Sequence, residues 1–332
     1  MKKTFKVSHL EIPTPFPIGP INVYIVNADP LTMIDTGLQT PEAWSTLKTG
    51  LQDLGYSIKD IKRIFITHGD YDHSGLAGRI AEISGADVYI HPLETLKMAG
   101  WVNHISRKAD VFMAGGIPVR ILDELKVLAR EGEILFKALD QYIPLTGGEV
   151  LPFDGFDLEV LHTPGHAPGH LCLFHREQGI LMAGDTLLAR ITPNPQLELD
   201  HTAPDGRLKT LKQYMESLNF LEKLPINKVY TGHGEPIIDI KSRIAEIKKH
   251  HLLRSEKIAK KLTSKHLSPY ELALEICGEL DAFNSLLGVS EVWGHLDILQ
   301  EAGVVEGWQE EGIYRFQTIE KDKLEKVVNQ VD

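Results

Sequence analysis

The sequence predicts an α/β protein whose chemistry sits on loops at the ends of strands. Three observations lead there. Short apolar runs of β type alternate with helical patterns along most of the chain. Histidines and aspartates collect directly after several of those runs, most densely in Thr67-His68-Gly69-Asp70-Tyr71-Asp72-His73. The composition, 42% hydrophobic and 24% charged over 332 residues, is that of a globular chain with room for one large and one small domain.

Residues 1–10 carry lysines but no apolar core of leader length behind them, and no later run approaches a membrane span, so a cytoplasmic protein without a membrane segment is expected. Residues 21–26 and 31–34 read as adjacent strands joined by the turn-forming Asn27-Ala28-Asp29-Pro30, the second ending in Asp35-Thr36-Gly37. A helix is expected over 41–54. The apolar run 61–66 then delivers the chain into the His/Asp stretch, and the small residues 74–78 open a second helix to Ser84. Side chains on such a tight strand-to-helix turn can converge on one point, which neither element alone allows at this spacing. A strand at 86–91 follows, with His91 read as a structural residue.

Residues 93–145 form a mostly helical insertion with a strongly amphipathic run at 118–139. Its large side chains, Met98, Trp101, His104, Phe112 and Met113, either cap a cleft, pack the insertion down or make a homodimer contact. Arg107, Lys108 and Arg120 would attract an acidic substrate or simply face solvent. Three more β-like runs precede His162-Thr163-Pro164-Gly165-His166-Ala167-Pro168-Gly169-His170, Gly184-Asp185-Thr186 and Gly232-His233-Gly234. A proline-stiffened loop at 191–195 and a helix at 208–224 separate the last two.

This ordered set resembles the metallo-β-lactamase superfamily, with HxHxDH, a Thr-Pro-Gly-His histidine, a Gly-Asp-Thr aspartate and a late Gly-His, and is most similar to its glyoxalase II-like and lactonase-like hydrolases. The resemblance implies a four-layer αββα sandwich over residues 1–240. It implies two divalent metal ions: His68, Asp70 and His166 at the first, Asp72, His73 and His233 at the second, and Asp185 bridging. Asp72 and Asp185 would also handle the proton of a bridging water. By the same resemblance Asp35 steadies the ligand loop. Within the histidine-rich loop, His170 is expected to steady a ligand or move a proton, and His162 to be structural.

Asp70 departs from the pattern, since most members place a histidine there. A carboxylate is a harder donor than imidazole, which tilts the first site from zinc toward iron or manganese. Asp70, Asp72 and Asp185 with a hydroxide would also cancel two divalent ions, (+4) − 3 − 1 = 0, where a histidine would leave one positive charge.

Residues 241–332 read as a basic linker helix over 242–262, whose His250-His251 is expected on an exposed face, then helices at 268–279 and 291–302 and a hairpin at 304–316. This order resembles a winged-helix tail, as in an endoribonuclease branch of the superfamily. The net charge of −11 disfavours a nucleic-acid partner. Cys172 and Cys277, far apart and in no CxxC, suggest neither a disulfide nor a thiolate site, and Cys172 is read as core. The leading expectation is a binuclear hydrolase of a small-molecule ester, thioester or lactone. The alternatives are a phosphodiesterase or ribonuclease, and a diiron redox protein related to the flavodiiron group.

Overall fold

The computed structural model describes residues 5–139, 141–200, 202, 203 and 205–320. In chain order the elements run β1 (Val7–Ile12), β2 (Ile21–Val26), β3 (Thr32–Ile34), α1 (Pro41–Asp53), β4 (Arg63–Phe65), α2 (Tyr71–Ser74), α3 (Ala77–Ser84), β5 (Asp87–Ile90), α4 (Thr95–Met98), α5 (Trp101–Ala114), α6 (Val119–Gly132) and β6 (Ile143–Pro144). They continue with β7 (Val150–Phe153), β8 (Phe156–His162), β9 (Leu171–His175), β10 (Ile180–Gly184), α7 (Thr210–Glu222), β11 (Lys228–Thr231), α8 (Ile240–Lys261), α9 (Pro269–Cys277), α10 (Ala282–Glu301), β12 (Val305–Glu310) and β13 (Ile313–Thr318).

The chain groups into two units. The first holds residues up to His104, Arg130–Pro193 and Leu221–Ile240; the second holds Ile105–Ala129, Asn194–Phe220 and the chain from Lys241 on.

The first unit contains two sheets, β1-β2-β3-β4-β5-β6 and β11-β10-β9-β8-β7. In the first sheet β1, β2 and β3 are antiparallel, and β3 to β6 are parallel. In the second only β10 and β11 are parallel. Because side chains alternate across a strand, β2 serves two cores at once. Tyr24 and Val26 join Phe65, Leu158, Val160, Leu173 and Met182 between the sheets, while Val23 and Ile25 join Leu47 and Leu51 of α1 and Ile80 of α3 on the outer face. Each such side chain removed from water contributes about 1.5–3 kcal/mol, which makes this doubly buried strand the axis of the unit. The nearly continuous apolar reading of residues 21–26, broken by the buried, hydrogen-bonded Asn22, has this cause.

Four elements differ from the sequence reading, one of them α10, which begins at Ala282 and not 291 because Asp281 caps it by accepting from the Asn284 N–H. β1 is a half-exposed edge strand whose Ser8, His9 and Glu11 break the apolar signal. The amphipathic run ends as helix at Gly132, not 139, because the following main chain turns to the ligand-loop region: the Gln39 N–H donates to the Leu135 carbonyl (2.7 Å) and the Lys137 N–H to the Gly75 carbonyl (3.0 Å). The end of the insertion returns to the first sheet as β6, parallel to β5.

In the second unit α9 begins with a reciprocal cap between Ser268 and Glu271, and β12 and β13 form an antiparallel hairpin. Trp293 of α10 is buried, with the Arg207 guanidinium 4.3 Å from its ring centroid, and Arg207 is held in turn by Asp297 (2.8 Å). Lys108 is a correction to the expectation of a solvated or substrate-steering cation. It is buried and paired with Glu198 at 2.6 Å, while Arg107 and Arg120 are exposed. His251 also departs from the expected exposed face: it is buried against His295 of α10, and only its neighbour His250 is exposed. No helix among the described residues is long and apolar enough to cross a membrane.

Candidate metal centre

Asp35, His68, Asp70, Asp72, His73, His166, Asp185 and His233 all lie just past the C-terminal ends of strands or on the turns that follow. β4 leads to His68 and Asp70, and the one-turn helix α2 turns Asp72 and His73 back toward them. β8 leads to His166, β10 to Asp185 and β11 to His233.

The donor atoms converge as two groups. His68, His166 and Asp185 form one, and Asp72, His73 and His233 the other, with donor atoms inside each group within 4.8 Å of one another. Asp185, a member of the first group, also approaches the second: its Oδ1 is 3.5 Å from His73 Nε2 and its Oδ2 3.8 Å from His233 Nε2. Asp70 Oδ2 stands 3.4 Å from His68 Nε2 and 3.5 Å from His166 Nε2, and Asp72 Oδ2 is 3.3 Å from His233 Nε2. Gly232 makes this approach possible, since a Cβ there would overlap Asp185 Oδ1.

The ring orientations are set from behind. Asp35, at the unusual φ of 56°, accepts from the Thr67 N–H (2.9 Å) and from the hydroxyl of Thr67 (2.9 Å), and its Oδ2 lies 2.8 Å from His73 Nδ1. An ionised carboxylate only accepts, so His73 carries its hydrogen on Nδ1. The Thr67 hydroxyl spends its one hydrogen on Asp35, so His68 Nδ1, 3.1 Å away, must donate to it. His233 Nδ1 donates to the Pro20 carbonyl at 2.9 Å. In its neutral form each of these imidazoles therefore presents Nε2 as its lone-pair nitrogen to the centre.

The residues fit a pair of cations. His68 Nε2, His73 Nε2, His233 Nε2 and Asp185 Oδ1 are buried polar atoms with no hydrogen-bond partner among the described residues. Such atoms are costly unless something not bonded through hydrogen satisfies them. Charge agrees. Burial pushes the His73 imidazole down, yet Asp185, Asp35 and Asp72 together raise it well above its ordinary range. His166 and His233 are raised against burial by Asp70 and Asp185 respectively. A pocket that holds protons this tightly on imidazole is one in which carboxylates draw positive charge. Asp185 and Asp70 stay ionised: burial would raise both, but His73 and His233 hold the first, and Lys97 and His68 the second, well below the usual carboxylate range. The open side of the cluster is at Asp70, His166 and Asp72, with 18%, 13% and 12% of their side chains exposed.

The remaining histidines separate cleanly. His170 Nε2 accepts from the Asp185 N–H (3.1 Å), and burial beside His68 and His166 holds its pKa well below the ordinary value, so it fixes the Asp185 backbone as a neutral ring. His162 donates from Nε2 to the Pro168 carbonyl (2.9 Å) and stacks on His91, whose pKa burial lowers to about 4. Cys172 is buried below the site, near Thr163 and Thr186.

Sequence reasoning missed four contributors. Thr67 stands in the motif with no role that its residue type announces, and the Pro20 carbonyl is a backbone group with no signature. Glu94, fully buried, accepts from the Gly69 N–H (2.9 Å) on one ligand loop and the Gly169 N–H (2.7 Å) on another. Lys97, 1% exposed, donates to Asp70 Oδ1 at 2.8 Å. A Glu and a Lys at the start of an amphipathic segment carry no local sign of burial.

Comparison with known proteins agrees with this geometry. Residues 17–233 match the family model of the metallo-beta-lactamase superfamily. A probable metallo-hydrolase YqjP of Bacillus subtilis (strain 168) is 30% identical over 96% of this chain and 99% of its own. A hydroxyacylglutathione hydrolase of Haemophilus influenzae is 27% identical over 53% of this chain and 69% of its own. Among solved structures, a metallo-beta-lactamase family protein from Thermus thermophilus superposes with a TM-score of 0.78 at 28% identity, covering 94% of this chain and 98% of the other. The chain thus has the αββα fold and belongs to the metallo-beta-lactamase superfamily, as a metal-dependent hydrolase.

Proposed function

We propose that the chain is a binuclear hydrolase acting on a small-molecule ester, thioester or lactone. The observation that carries this reading is the pair of donor groups, His68, His166 and Asp185 beside Asp72, His73 and His233, with Asp185 belonging to the first and its two oxygens 3.5 Å and 3.8 Å from His73 and His233 of the second. His68, Asp70 and His166 would hold one ion, Asp72, His73 and His233 the second, and Asp185 would bridge. Two divalent cations held by these residues would supply Lewis acidity and lower the pKa of a bound water toward ~7. Asp35, Thr67 and the Pro20 carbonyl keep the imidazoles in the tautomer that such binding needs. Asp72 and Asp185, ionised in the fold, are the carboxylates placed to accept a proton beside the reacting centre.

The acyl class is favoured by the likeness to the Haemophilus hydroxyacylglutathione hydrolase. A nucleic-acid substrate is disfavoured because the basic stretch of α8 and the residues just after it spends part of its charge locally: Lys261 and Lys265 pair with Glu275, and Arg254 with Glu291. The tail order α9, α10, hairpin fits a winged-helix-like structural or dimerisation unit better than a groove reader.

The test is elemental analysis together with hydrolysis of acyl thioesters, lactones, generic esters and bis(4-nitrophenyl) phosphate by stripped and reloaded protein. Two ions per chain with acyl hydrolysis restored on reloading is the expected result. Two ions with turnover of the phosphodiester alone would reassign the substrate, and fewer than two ions would remove the binuclear reading.

A further inference from the structure

The exchange of histidine for Asp70 is accompanied by a second buried anomaly, Lys97. Its side chain is 2% exposed, its ammonium is 2.8 Å from Asp70 Oδ1, and it lies 3.5 Å from Glu94 Oε2. A buried lysine is expensive unless it is held by a carboxylate. Glu94 already gives its two oxygens to the Gly69 and Gly169 N–H groups, which makes Asp70 the closer partner of the ammonium. The other Asp70 oxygen, Oδ2, is the one that faces His68 Nε2 and His166 Nε2.

Resting on the two-metal reading, we propose that Lys97 is a positioning residue that restricts Asp70 to a single ligand oxygen and makes a histidine unusable at position 70. It ties down Oδ1, so Asp70 offers a single oxygen to the first ion as an imidazole offers a single nitrogen. It also returns the one positive charge that the aspartate removes: the ligand sum of zero given above becomes +1 when the ammonium is counted. An imidazole at position 70 that coordinated through one nitrogen would carry N–H on the other, and that hydrogen would face an ammonium that also only donates. Asp70 and Lys97 are therefore one exchangeable pair.

A double-mutant cycle on the full-length protein tests this, read as Zn2+ and Mn2+ affinity and stoichiometry after stripping, by titration calorimetry and elemental analysis. In the Asp70→His background, adding Lys97→Met should strengthen first-site binding at least tenfold. In the Asp70 background Lys97→Met should change it less than threefold, since the lost orientation and the lost repulsion oppose each other. Lys97→Gln, which can accept from an imidazole N–H as well as donate to Asp70, is the milder second variant and should rescue Asp70→His in the same direction. The second ion, held away from Lys97, reports in every variant that the chain is folded. Equal effects of Lys97→Met in both backgrounds, with two ions in the wild type, overturn the pairing alone. A wild type that binds fewer than two ions overturns the two-metal reading and the pairing with it.

Discussion

Two groups of buried histidines lie in the two units, and they are built for opposite ends. In the first unit His68, His73 and His233 meet Asp70, Asp72 and Asp185, and their Nε2 atoms point at one another with no hydrogen bond between them. In the second, His251 Nδ1 and His295 Nε2 bond to each other at 3.3 Å, and His295 Nδ1 bonds to Ser255 Oγ at 2.9 Å. No carboxylate is among the causes that shift either ring, and burial first, then neighbouring His250 and Arg254, drives His251 down to about 3. Buried imidazole is thus not in itself a sign of a metal. The difference lies in whether carboxylates share the space, since His251 Nε2 also has no hydrogen-bond partner among the described residues.

His233→Ala tests the contrast most severely. It should lower second-site metal affinity and acyl hydrolysis by more than the about 100-fold expected for loss of an outer partner, as followed by metal titration and turnover. Retention of two ions at wild-type affinity would erase the distinction between the groups. Asp35→Asn should act more mildly, reducing metal affinity about 10–100-fold while the fold persists, because it weakens the hold on His73 without removing a donor. His251→Gln should leave metal content unchanged and alter only the response to acid. The folded His251 pKa lies below its unfolded value of about 6.5, so below that pH the unfolded chain takes up a proton the fold refuses, and stability falls as pH is lowered toward about 3. Between about pH 6.5 and 5 this group alone costs roughly 2 kcal/mol, and denaturant unfolding of the variant should show a flatter loss over that interval.

What was legible in the sequence follows from which interactions are local. β2, α1 and the strands before each ligand loop declare themselves by uninterrupted or periodic apolar residues, because they are buried on the faces those periods select. The seven candidate donors were legible as motifs; the structure gathers six of them into two groups and sets Asp70 beside His68 and His166 of the first. Asp35 could be read because it ends a strand in Asp-Thr-Gly. Lys97 and Glu94 could not: each acts across the fold on residues of other loops, and in sequence each is an ordinary polar residue of a helical stretch. β1 hid behind Ser8, His9 and Glu11, since an edge strand needs only one apolar face.

Glu94 has a wider consequence. One carboxylate, sealed from water and clasped by amides from the Asp70 loop and the His166 loop, joins two pieces of chain that arrive from different sheets. The conformational entropy of bringing those pieces together is then spent during folding and not at the moment of metal uptake. An ion approaching the finished protein has water to shed, ligands to trade and imidazole protons to displace, so filling the site becomes a question of exchange chemistry more than of folding.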